Sequence, residues 1–169
     1  MGVMHRFSYA LICSAWAIIP QIALADTSQV IKSWWTDAGW LTELRQHADG
    51  ARVCATGKAF KEGRPFGLSI VKSGPVTLIT LVDEKQPPSR AGKMTFSDQG
   101  TTFGDLFVTP AGPAFATTEG ESEQTWNTIN RLPAQPLSIG IDGSEYSADL
   151  TGIDQAREQL KVCETEASR

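Results

Sequence analysis

From residue 40 onward the chain alternates bulky and polar positions in short runs, and each run ends at residues that favour turns. Residues 40–45 and 52–56 flank Asp49-Gly50, where glycine accepts the positive φ of a tight hairpin. Residues 66–71 and 76–82 are rich in β-branched and apolar side chains, and they are separated by Ser73-Gly74-Pro75. They read as the central, most buried pair. Residues 93–96 and 102–108 lie around Asp98-Gln99-Gly100, and 114–117 follow a turn at 110–113. A last hairpin joins 137–141 to 145–150 through Asp142-Gly143. Turn signals at this spacing predict a mainly β protein, an antiparallel sandwich or barrel, and not alternating β and α units.

Two stretches change period. Thr118 and Glu121 have the spacing of a capping box, and Trp126, Ile129 and Leu132 then recur at helical intervals until Pro133, which predicts a short helix over about 121–132 with Trp126 in the core. Thr151 and Asp154 repeat the motif ahead of Ile153, Ala156, Leu160 and Cys163, predicting a second packing helix over about 152–164. Residues 26–37 form an N-terminal lead-in, either a short helix carrying Val30, Ile31, Trp34 and Trp35 or an extended segment. The single β-rich domain is expected to occupy 38–165.

Residues 1–25 have the order of a secretory signal. His5 and Arg6 give a weak positive start, an apolar stretch runs from 7 to 19, and Ala23-Leu24-Ala25 ends it, with cleavage expected after Ala25. The apolar stretch is shorter than the roughly 18 to 20 residues that span a bilayer, so no membrane span is expected once it is removed. Cys13 leaves with the signal. Cys54 and Cys163 remain as an even pair in an exported chain, most simply one disulfide joining the start of the domain to its last helix. A periplasmic or secreted location follows.

Composition narrows the chemistry. The 169 residues carry 15 Lys plus Arg and 19 Asp plus Glu, a net charge of -4, which gives no electrostatic footprint for nucleic acid. His47 is the one histidine outside the signal and stands beside a hairpin tip, so neither a catalytic triad nor a zinc site assembles around it. Glu119, Glu121 and Glu123 cluster ahead of a helix, where acids serve the helix dipole. No nucleotide-binding glycine motif occurs. The expectation is a non-enzymatic protein with no catalytic residue, no metal and no cofactor. Trp34, Trp35 and Trp40 are three indoles within seven residues. They form either an exposed interaction surface or an edge of the core. The loop 83–89, stiffened by Pro87 and Pro88, supplies a competing reading, in which the protein inserts it into a hydrolase as a periplasmic inhibitor.

Gly39-Trp40, Val53-Cys54-Ala55 leading to Gly63 and Leu68, and above all the ending Tyr146-Ser147-Ala148-Asp149-Leu150-Thr151-Gly152 followed by Ala156, Leu160 and Cys163 are similar to the invasion-associated locus B proteins. These are small exported proteins of alphaproteobacteria. The central cysteines that such proteins often add are absent. The resemblance implies a periplasmic or surface-exposed β-rich protein with a part in envelope integrity or host contact, whose partner is a protein or envelope component. It carries over no functional residue beyond the disulfide.

Overall fold

The computed structural model describes residues 28–60, 66–83 and 89–169. The expected secretory signal, Gly63 and the tip of the 83–89 loop lie outside the described residues. Ten strands and two helices follow one another as β1 (Gln29–Trp35), β2 (Leu41–Gln46), β3 (Arg52–Ala59), β4 (Phe66–Ser73), β5 (Val76–Asp83), β6 (Gly92–Asp98), β7 (Thr101–Ala111), β8 (Ala114–Ala116), α1 (Ser122–Arg131), β9 (Pro136–Ile141), β10 (Ser144–Asp149) and α2 (Ile153–Ala167). All the described strands join one antiparallel sheet in the order β1-β2-β3-β4-β5-β8-β7-β6-β9-β10, with β1 and β10 at its ends.

The pairing registers put Leu44, Cys54, Ile70, Leu68, Ile79 and Leu81 on the same face as Leu106, Met94, Phe96, Ile139 and Ala148. That face is the core, and both helices contribute to it. The sheet reaches its own far side by curling. Phe66 of β4 stacks on Tyr146 of β10 with ring centroids 5.4 Å apart, although β10 stands six places from β4 in the sheet order. Lys58 Nζ of β3 donates to Asp149 Oδ2 of β10 and to Thr151 O, both at 3.1 Å. These contacts draw the two halves around one interior without strand pairing between β1 and β10, so the architecture is an open, curled antiparallel sheet.

β8 is only three residues long, and α1 packs along β5 and β7 beyond it. Trp126 is half-buried at the rim of the core, not inside it, with the Lys72 ammonium 4.0 Å from its ring centroid. Lys72 also pairs with Glu164 of α2 at 2.8 Å, so one β4 side chain holds both helices to the sheet. Arg157 of α2 donates to Ile129 O at 2.8 Å and Leu132 O at 3.1 Å, capping the carbonyl end of α1 where a cation suits the helix dipole. Burial pushes the Arg157 guanidinium down from its ordinary value.

Neither expected capping box forms. Thr118 makes no side-chain cap; its carbonyl instead accepts Glu121 N in a single 3-10 turn at Glu119–Glu121, and α1 begins at Ser122. At the second helix, Asp149 Oδ1 takes the Thr151 N–H, while Thr151 O accepts from Trp40 and Lys58. The chain then passes through Gly152 at φ 85° into α2. A Cβ on Gly152 would sit 2.3 Å from Ala38 Cβ, so both the backbone angle and the contact demand glycine there. The 142–143 turn behaves as expected, with Asp142 and Gly143 both at positive φ in a two-residue hairpin. The first hairpin is looser, closing through residues 47–51 with His47 N bonded to Ala51 O at 2.8 Å.

Asp149 links this seam to pH. The Thr151 hydroxyl and N–H, and after them the Lys58 ammonium, hold its carboxyl below the ordinary carboxylate value. A carboxyl depressed in the folded state stabilises it above the unfolded value of 3.8, and that contribution is lost as pH falls through the lower folded value. The melting temperature is therefore expected to fall as pH drops below about 5, and Asp149→Asn to make that fall shallower. The effect is modest because the side chain is half exposed. Identical slopes for the two proteins in a pH series of melting curves would exclude a contribution from Asp149.

Candidate interaction surface

The sheet's alternation and one tight turn divide the three tryptophans. On β1, Trp34 is opposite Thr42 and shares the core face, where Lys32 Nζ lies 4.9 Å from its ring centroid and Lys32 pairs with Glu166 of α2 at 2.7 Å. Trp35, one residue on, is opposite Leu41 on the outer face and is 56% exposed. After Trp35 the chain reverses: Thr36 N donates to Trp40 O at 2.9 Å, and Thr36 Oγ1 accepts Trp40 N at 3.0 Å. Trp40 is thereby sealed at 0% exposure, with Nε1 donating to Thr151 O at 2.9 Å. Trp40 therefore leaves the interaction surface and belongs to the core. Trp34 belongs to the packed rim, and Trp35 alone of the three stands out.

β1 also shows why the lead-in is extended. It pairs with β2 in antiparallel register from Gln29–Gln46 to Trp35–Leu41, with a bulge between Val30 and Lys32. The bulge lets Val30 and Ile31 both stay exposed on an edge strand. Among the described residues, the exposed large hydrophobic ones besides Trp35 are Val30, Ile31, Phe107 and Val162. Val162 lies on α2 between Gln159 and Glu166. Gln159 donates to Trp35 O at 3.3 Å and accepts from Thr42 Oγ1 at 3.0 Å, so this stripe of α2 runs beside β1. Trp35, Thr36 and Asp37 face Asp154, Glu158 and Gln159 across a shallow cleft of about 430 Å³.

The disulfide is present. Cys54 of β3 and Cys163 of α2 are bonded, with Cα atoms 5.9 Å apart and both residues buried. Ile153, Ala156 and Leu160 lie on the same buried face of α2, as the periodicity required.

Two further clefts are built from structural groups. One, of about 510 Å³ at the end of α2, is lined by Arg52, Lys72, Glu164 and Arg169, with Lys72 engaged by Glu164 and Trp126 and Arg52 by Glu166 O. The other, of about 620 Å³, is lined by Asp105, Glu121, Glu123 and Arg131, and Asp105 pairs with Lys93. Glu119 and Glu121 lie in the 3-10 turn and Glu123 in the first turn of α1, where they face the helix dipole. Among the described residues no group of three or more His, Cys, Asp or Glu could hold a metal ion, and no helix is long and apolar enough to cross a membrane. At the 83–89 loop, Asp83 is buried, and residues 84–88 lie outside the described residues.

Comparison with family models, curated proteins and solved structures gives no match to the chain.

Proposed function

We propose that this protein is an exported, non-enzymatic interaction module of the cell envelope, with a part in envelope integrity or host contact. The carrying observation is the β1 edge, where Val30, Ile31 and Trp35 are exposed on a strand that pairs with another strand, β2, along one side only. Edge strands normally hide or charge such positions because unpaired backbone and apolar side chains invite association. The buried Cys54–Cys163 bridge supports an oxidising compartment, since such bonds persist in exported proteins. The resemblance to the invasion-associated locus B proteins supports the same setting. Nothing in the described part of the 83–89 loop favours hydrolase inhibition.

A photo-crosslinking residue introduced at Trp35 in exporting cells is expected to give discrete adducts, while the same residue at Phe107, the exposed aromatic of β7, gives few. Equal labelling at the two positions, or none at Trp35, would remove β1 as the contact surface.

A further inference from the structure

We draw no further inference here: the strongest candidate, the face of strands β3, β4, β5 and β8 turned away from the core, where Val53, Ala55, Ser69, Val82 and Ala114 are buried, carries nothing because nothing in the structure shows what covers it.

Discussion

Replacing Cys163 with serine is expected to lower the unfolding free energy by about 4 kcal/mol. The bridge closes a loop with a sequence separation of 109, and the chain-entropy model assigns about 4.7 kcal/mol to a loop near 100 residues. Strain or residual order in the reduced unfolded chain would trim that figure. The variant also leaves a hydroxyl and a thiol in a site where both sulfurs are shut away from solvent, which pushes the cost back up. α2 should loosen first, since the bond is its covalent tie to β3 and its remaining hold there is the packing of Ile153, Ala156 and Leu160 with a few polar contacts. Denaturant unfolding of Cys163→Ser and of the double serine variant measures the loss, and hydrogen exchange locates it. Unfolding free energies equal to that of the parent would mean that the bridge adds nothing to stability.

The second large effect is a contrast between two identical side chains five positions apart. Trp40→Ala is expected to cost about 4 kcal/mol, in the range for emptying a large buried aromatic site. It removes a side chain with no exposed surface and takes the Trp40 Nε1 donor from Thr151 O at the entry to α2. Trp35→Ala is expected to cost under about 1 kcal/mol in the isolated chain, because more than half of that indole already faces water. Similar losses for the two variants, measured under conditions where the protein is monomeric, would contradict the split.

That split also marks where sequence reasoning reached its limit. The central hairpins were legible because β-branched runs and glycine turns are local signals, and β4, β5, β9 and β10 fall close to their expected bounds. The disulfide was legible too, because counting cysteines and following the helical stripe from Ile153 to Cys163 use only parity and period. β1 was ambiguous for a physical reason: Val30, Ile31, Trp34 and Trp35 fit a helical stripe as well as a strand, and the bulge that reconciles them with a strand depends on pairing with β2. The fate of each tryptophan depended on strand alternation and on the 36–40 turn, neither of which the indoles themselves encode. The capping boxes failed because Thr118 and Thr151 are flanked by backbone and side-chain partners that claim the same groups. The curl that brings Phe66 to Tyr146 is a long-range outcome with no local signature.

The position of the bridge has a consequence for the order of events during synthesis. A chain made from its amino end presents Cys54 early, and that thiol must wait while more than a hundred further residues appear before its partner does. Every described strand precedes Cys163, so the bridge can close only after the whole sheet has been synthesised. Until then Cys54 remains a free thiol, and in a nascent chain stalled before residue 163 the one other cysteine is Cys13, within the expected signal.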